Sequence, residues 1–113
     1  MTRIFNDGSM QYEIVLVNLD PTIGSEIRKT RPCVVLSPDV MNRHLNTAII
    51  APMTTRVKNY PTRVSTTLQN EKGSIVLDQI RTIDQRRIIR VLGNVSKKEI
   101  NQIKRVISEM LVD

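Results

Sequence analysis

Two apolar runs enclose a polar stretch near the start of the chain: Glu13-Ile14-Val15-Leu16-Val17-Asn18-Leu19, then Asp20-Pro21-Thr22-Ile23-Gly24-Ser25-Glu26-Ile27-Arg28-Lys29-Thr30-Arg31-Pro32, then Cys33-Val34-Val35-Leu36. The outer runs are rich in β-branched residues and have the length of strands. The inner stretch contains proline and glycine, which favour turns. The pattern predicts two strands joined by a polar loop that is held at both ends.

The charged groups inside this loop are the carboxylate of Glu26 and the cations of Arg28, Lys29 and Arg31. Arginine offers phosphate a planar fork of donors, and a nearby carboxylate can transfer protons. The loop therefore suits an anionic substrate. An ordinary solvated loop carries similar charges, so these residues alone leave both interpretations open.

The length of 113 residues predicts one domain that is large enough to bury its own core. Residues 1–9 are polar and irregular, and Gly8-Ser9-Met10 is typical of a cloning junction followed by a native start. Whether residues 1–9 are native stays open, and we place the domain at residues 10–113. The chain has no apolar run of membrane-spanning length and no secretory signal, so we expect a cytoplasmic protein without a membrane partner.

The net charge of +6 and the pI near 10.0 favour a polyanionic partner. Basic residues collect between residues 28 and 63, where the only acid is Asp39. Aromatic residues are few, namely Phe5, Tyr12 and Tyr60, so extensive stacking on nucleobases is not available. Charge alone does not separate RNA from DNA or from an acidic protein.

Short strands separated by polar loops are predicted at residues 12–19, 32–36, 47–52, 62–66, 74–77 and 87–91, with one helical turn at 39–43. Their spacing favours a small barrel over βαβ units. Ser96 and Glu99 have the spacing of a capping box, so a helix should begin there. Its predicted apolar face is Ile100, Ile103, Ile107, Met110 and Leu111, with Lys104, Arg105 and Glu109 outside.

Cofactor and metal chemistry finds little support in the composition. One cysteine and one histidine cannot form a ligand cluster, and the four glycines are isolated. We expect no metal site and no cofactor. The apolar surroundings of Cys33 predict a core residue, and His44 is interpreted as an ordinary loop residue.

Several segments together resemble the MazF/PemK/Kid family of bacterial toxins. They are the loop from Asp20 to Glu26, the continuation Thr30-Arg31-Pro32-Cys33-Val34-Val35-Leu36-Ser37-Pro38, Ala51-Pro52-Met53-Thr54-Thr55, and Leu77-Asp78-Gln79-Ile80-Arg81-Thr82-Ile83-Asp84. The resemblance runs from about Gln11 to the C-terminus. It implies a mainly β (α+β) fold, a small SH3-like barrel with a C-terminal helix.

The resemblance also implies an activity: a sequence-specific, metal-independent endoribonuclease toxin of a type II toxin-antitoxin system. Such an enzyme cuts single-stranded mRNA by attack of the RNA 2′-hydroxyl, leaving a 2′,3′-cyclic phosphate and a 5′-hydroxyl. The expected partners are RNA, an acidic antitoxin, a second copy of the chain and, through the antitoxin complex, operator DNA. The alternative is a non-catalytic basic SH3-like module that binds nucleic acid or an acidic protein.

The family's catalytic arginine and threonine fall on Arg31 and Thr54. Glu26 and Asp78 both match positions proposed for the general base, and the choice stays open with Glu26 ranked first. RNA contacts are expected from Ser25, Arg28, Lys29, Arg56, Lys58, Gln79 and Arg81. The chain departs from Kid-like members at Val76 and Ser25, where those members have an arginine and a histidine, so the Kid mechanism transfers poorly.

Overall fold

The structure is a computed structural model that describes residues 11–27, 29–57 and 59–112. Its strands are β1 (Glu13–Asn18), β2 (Thr30–Val35), β3 (Thr47–Thr54), β4 (Arg63–Leu68), β5 (Glu71–Val76), β6 (Arg81–Asp84) and β7 (Ile88–Asn94). The helices are α1 (Asp39–His44) and α2 (Lys97–Ile107). Short 3₁₀ turns at Leu77–Gln79 and Gln85–Arg87 flank β6.

The strands form one antiparallel sheet in the order β4-β5-β3-β2-β1-β7, with β6 paired to β3. β3 is the central element because it pairs with β2 along one edge, and with β6 and then β5 along the other. The sheet curves into a half-barrel, and α2 follows it at the C-terminal end. The prediction of a mainly β, SH3-like architecture with a C-terminal helix is confirmed.

The central strands β1, β2 and β3 are largely buried on both faces, which explains why they are so apolar. Ile14 of β1 belongs to one core cluster, whereas its neighbours Val15 and Val17 belong to a second cluster on the other side. Cys33 lies fully buried in the second cluster, as its apolar surroundings predicted.

Helix α2 covers the first cluster and has the predicted capping box. Ser96 accepts a hydrogen bond from the Glu99 backbone, and Glu99 accepts one from the Ser96 backbone. Ile103 is buried in the cluster as predicted, and Ile100, Ile107 and Met110 pack against it.

Two details of the predicted helical face are wrong. Leu111 is 67% exposed, and the buried position that the pattern missed is Val106. The α-helix ends at Ile107 and the chain continues as a π-helical turn, Ser108–Val112. A π turn is wider than an α turn, so the phase of the side chains shifts and Leu111 leaves the apolar face.

A buried polar cluster fixes the start of β3. The side-chain NH₂ of Gln85 donates to the carbonyl oxygens of Asn42, Leu45 and Thr47 at 2.8, 2.9 and 3.0 Å. The hydroxyl of Ser37 donates to Asn42 Oδ1 at 2.5 Å and accepts from the backbone of Ile49 at 3.0 Å. Side chains therefore satisfy the irregular backbone between β2 and β3.

The six predicted strands are present with shifted ends, and α1 extends the predicted turn by one residue. The sequence pattern missed β6, which has only four residues. The predicted N-terminal segment, residues 1–9, lies outside the described residues. Within the described ranges, no helix combines the length and the apolar run needed to span a membrane.

Candidate active site

The loop between β1 and β2 is closed at its base by backbone contacts. Leu19 donates to the carbonyl of Lys29 at 2.9 Å, and the Lys29 amide donates to the Asp20 carboxylate at 2.8 Å. Lys29 adopts a φ of 70°, a left-handed conformation that is uncommon outside glycine. The residue predicted as an RNA-binding cation thus also shapes the turn that leads into β2.

Side chains from the 77–87 region hold the same loop. Arg81 donates to the carbonyl of Leu19 at 3.3 Å, and Gln79 accepts from the backbone of Ile27 at 2.9 Å. Arg87 donates to the carbonyls of Asn18 and Asp20. Gln79 and Arg81, expected to contact RNA, position the loop in this structure, and Arg87 was not anticipated.

Arg31 and Thr54 lie together in one cleft of about 240 Å³, which we call the catalytic cleft because the resemblance assigns catalytic roles to these two residues. The β2-β3 pairing runs from Val35 opposite Ile50 to Cys33 opposite Pro52. Arg31 and Thr54 each lie two residues beyond the last pair, at the same end of the ladder. Both residues line the cleft although a helix and a strand separate them along the chain.

The Arg31 side chain lines the cleft and forms no ion pair among the described residues. Its Nε atom is buried and has no hydrogen-bond partner among the described residues. Lys72 and Arg90 line the same cleft, against one carboxylate, Glu71. The cleft thus has an excess of positive charge in a partly buried setting, where charge interactions are stronger than in bulk water.

Thr54 is oriented by its neighbours. Its Oγ1 accepts from the backbone of Arg56 at 3.3 Å, which leaves the hydroxyl proton for another acceptor. Gly73 of β5 packs directly against this position, since a Cβ on Gly73 would lie 2.2 Å from the Thr54 carbonyl oxygen. Only glycine allows β5 to approach the end of β3 so closely.

Glu26 lies in a second cleft, also of about 240 Å³, together with Asp78, Gln79 and Arg81. Pro52 of β3 lines this cleft, and the next residue, Met53, lines the catalytic cleft. Glu26 is exposed, and its Oε1 accepts from the backbone of Ile23 at 2.7 Å.

Asp78 is already engaged by protein donors. Its Oδ1 accepts from Thr62 at 2.9 Å, and Arg63 forms an ion pair with it at 3.3 Å. Partial burial raises the pKa of Asp78, but the hydrogen bonds from Arg63 and Thr62 outweigh that effect and leave the pKa below its usual value. Arg63 also stacks over the ring of Tyr60, 4.8 Å from its centroid.

Of the remaining predicted RNA contacts, the structure describes two, and both lie in loops. Ser25 and Arg56 are exposed, and Arg28 and Lys58 lie outside the described residues. Sequence reasoning missed Lys72 and Arg90 in the catalytic cleft. Lys72 follows the two-residue turn Gln69-Asn70, where both φ angles are positive as in a type I′ hairpin. Recognising this hairpin turn in the sequence was the signal that could have placed Lys72.

Cys33 and His44 contribute no reactive groups to these clefts. Burial raises the pKa of the Cys33 thiol to about 12, although the charge of Arg81 opposes this. His44, interpreted from the sequence as a loop residue, is instead the last residue of α1. It is exposed and its Nδ1 contacts the Val40 carbonyl at 2.8 Å. Within the described part of the chain, no group of three or more His, Cys, Asp or Glu side chains is arranged to hold a metal ion.

The half-barrel is basic and holds an arginine and a threonine in a cationic cleft. This combination is typical of a protein that binds an anionic polymer. Residues 10–111 match the family of PemK-like, MazF-like toxins of type II toxin-antitoxin systems. The chain belongs to this family, which confirms the resemblance seen in the sequence.

Relatives agree with this membership. The endoribonuclease toxin MazF of Escherichia coli K12 is 35% identical over 100 residues, covering 88% of this chain and 90% of the relative. A crystal structure of MazF from Deinococcus radiodurans superposes with a TM-score of 0.83 at 25% identity, covering 93% of this chain and 97% of that one. A chain from a MazE-MazF crystal structure of the same organism gives 0.74 at 27% identity, covering 92% and 96%.

Proposed function

We propose that this chain, a MazF-type endoribonuclease toxin of a toxin-antitoxin system, cuts single-stranded mRNA with the RNA 2′-hydroxyl as the nucleophile and without a metal ion. Its place of action is then the cytoplasm, where mRNA is translated. The observation that carries the proposal is the catalytic cleft, in which Arg31 and Thr54 lie together. The Nε donor of Arg31 is buried and has no hydrogen-bond partner among the described residues, as expected of a guanidinium that binds an anion.

In this proposal, three side chains carry the steps of the reaction. The 2′-oxygen bonds to phosphorus, the bond from phosphorus to the 5′-oxygen breaks, and a cyclic phosphate and a 5′-hydroxyl result. Glu26 takes the proton of the 2′-hydroxyl, and the leaving oxygen receives a proton from water. Arg31 stabilises the charge that develops on the phosphorane oxygens. The Thr54 hydroxyl donates a hydrogen bond to one of these oxygens.

The contacts favour Glu26 over Asp78 as the base. Asp78 accepts hydrogen bonds from Thr62 and Arg63, and its pKa is lowered, so it is a weak proton acceptor. Glu26 is exposed, and its carboxylate accepts a backbone hydrogen bond from Ile23 without a cation paired to it in the described residues. Ser25, Arg28, Lys29, Arg56, Lys58, Gln79 and Arg81 are proposed to line the RNA path around these groups.

The proposed partners follow from surface chemistry. The edge strand β7 exposes Ile89 at 53%, and the C-terminal turn exposes Leu111 and Val112, so a homodimer would cover apolar surface. Light scattering should then give about twice the 12.9 kDa of one chain. An acidic antitoxin would be attracted by the cations that bind RNA, and operator DNA would be contacted through that complex.

The direct test is incubation of the purified protein with a long single-stranded transcript in EDTA, followed by analysis of the new ends. We expect 5′-hydroxyl and 2′,3′-cyclic phosphate ends at a short recurring sequence. An Arg31→Ala protein purified in the same way controls for contaminating ribonuclease. An intact transcript, or the same cuts with both preparations, would support the alternative of a non-catalytic binding module.

A further inference from the structure

A second groove adjoins the catalytic cleft, and we call it the flank groove. It has a volume of about 730 Å³ and lies between the β4-β5 hairpin and the first turn of α2. Thr66, Lys72 and Gly73 line both the flank groove and the catalytic cleft, so the two are continuous around β5. A polymer that leaves the cleft past Lys72 enters this groove.

The lining of the flank groove is polar and positively charged. Hydroxyl groups of β4 and amide groups of Asn94 and Gln102 surround it, with Lys72 at one end and Lys98 at the other. Its carboxylate, Glu99, is fully engaged: one oxygen accepts from the Ser96 backbone at 2.8 Å and the other from the Thr66 hydroxyl at 2.6 Å. Glu99 keeps its negative charge, so the two lysines leave the groove with a net positive charge.

The positive surface continues along α2. Lys97, Lys98, Lys104 and Arg105 are all exposed, and within the described residues none of them forms an ion pair. Lys98 and Arg105 are seven residues apart, which is two helical turns, so they lie on the same side of the helix. The helix has 11 residues and extends this cationic surface over roughly 16 Å.

We propose that the flank groove and the outer face of α2 bind the phosphates of RNA nucleotides that lie outside the cut motif. This rests on the proposed function, because it requires that RNA occupies the catalytic cleft. Hydroxyls, amides and ammonium groups match a sugar-phosphate backbone. An acidic peptide is the less suitable occupant because the groove offers it one apolar anchor, Val57.

The test compares two lengths of 2′-O-methyl oligouridylate, about four and about twenty nucleotides, which cannot be cut by 2′-hydroxyl attack. Their affinities are measured by fluorescence anisotropy over a range of salt concentrations. The variant is Lys98→Gln with Arg105→Gln. The control is Arg43→Gln with Arg86→Gln, two exposed cations that line neither groove, so both proteins lose two positive charges.

We expect the Lys98/Arg105 variant to bind the long RNA about tenfold more weakly, and its salt slope to fall by about 1.4, the value for two single-strand phosphate contacts. Its affinity for the short RNA should stay within about twofold of wild type, as should both affinities of the control. Equal losses with both lengths, or the same loss in the control, would overturn the proposal.

Two further outcomes distinguish RNA binding from acidic-protein binding, and failure of the flank-groove proposal from failure of the proposed function. If polyglutamate binding falls in the Lys98/Arg105 variant while RNA binding does not, the surface recognises an acidic protein and the proposal is wrong. Transcript cleavage in EDTA is measured for each protein in parallel. If the variant cuts the transcript and its affinity for the long RNA is no more reduced than its affinity for the short RNA, the flank-groove proposal alone is wrong. If the wild-type protein leaves the transcript intact, the proposed function is wrong.

Discussion

The two ends of β3 differ in how their polar groups are satisfied. At Thr47, where the strand begins, the buried amide of Gln85 donates to backbone carbonyls, and Ser37 and Asn42 bond to each other beside it. The Gln85 Oε1 atom is buried and has no partner among the described residues. At Thr54, where it ends, Arg31 has a buried donor without a protein partner and cations line an open cleft. One strand thus has a closed end that stabilises the fold and an open end that is left for a ligand.

This contrast implies that mutations at the two ends should affect different quantities. Removing a group at the closed end should reduce stability, because buried carbonyls lose their donor. Removing a group at the open end should reduce activity and leave stability nearly unchanged, because that group has no protein partner to lose.

The largest expected effect is that of Arg31→Ala. Loss of one donor to the transition state typically costs about a hundredfold or more in rate. Single-turnover cleavage in EDTA should fall by at least that factor, while the midpoint of urea unfolding stays the same. Arg43→Ala, at an exposed position on α1, serves as the control. A variant that is both slow and unstable would show that Arg31 supports the fold.

At the closed end, Gln85→Leu should lower the free energy of unfolding by about 3 kcal/mol, because buried carbonyls lose their hydrogen-bond donor. The cleavage rate per folded molecule should stay within about twofold of wild type. Urea denaturation gives the free energy of unfolding. The measured cleavage rate is divided by the concentration of active sites, which is obtained by active-site titration. Asn101→Leu, an exposed amide on α2, is the matched control. Unchanged stability would contradict the structural importance of the buried cluster.

Cys33→Ser should lower the free energy of unfolding by about 1–3 kcal/mol, since a hydroxyl replaces a buried thiol. The raised thiol pKa of about 12 adds a pH dependence. Stability should fall as the pH rises above 9.0, the ordinary value, because the unfolded thiol then ionises more readily than the buried one. Rapid alkylation of the native protein at pH 8 would show that Cys33 is accessible.

The smallest expected effect is that of Asp78→Asn. The ion pair with Arg63 is partly exposed, so its loss should cost less than about 1 kcal/mol. Because the folded pKa of Asp78 is lowered, its stabilising contribution is present above the ordinary value of 3.8 and is lost as the pH falls through the folded pKa. The stability difference between wild type and variant should therefore disappear in acid.

Local signals in the sequence predicted much of this fold. The apolar runs of β1, β2 and β3 and the Ser96 capping box each carry their own information within a few residues. β6 lacked such a signal because its four residues, Arg-Thr-Ile-Asp, become a strand only by pairing with β3. The position of Leu111 depended on a π turn that hydrophobic periodicity does not reveal.

The site was predictable in part because its motif residues resemble those of a known family. The contacts around them were not, because they join distant segments. Arg87 reaches the carbonyl of Asn18 across 69 positions, and Gln79 reaches Ile27 across 52. Lys72 enters the catalytic cleft through the register of the β4-β5 hairpin. The contacts of Arg87 and Gln79 depend on long-range packing, which composition and spacing do not encode, whereas the placement of Lys72 depends on a local hairpin turn.

The central claim is that the open end of β3 activates the RNA's own 2′-hydroxyl. The most direct measurement uses two short RNAs that contain a mapped cut site and differ by a single 2′-deoxy substitution at the scissile nucleotide. The account predicts that the all-ribose RNA is cut in EDTA and that the substituted RNA is bound but not cut at that bond. Cleavage of both RNAs at similar rates would mean that water is the nucleophile and would contradict the account.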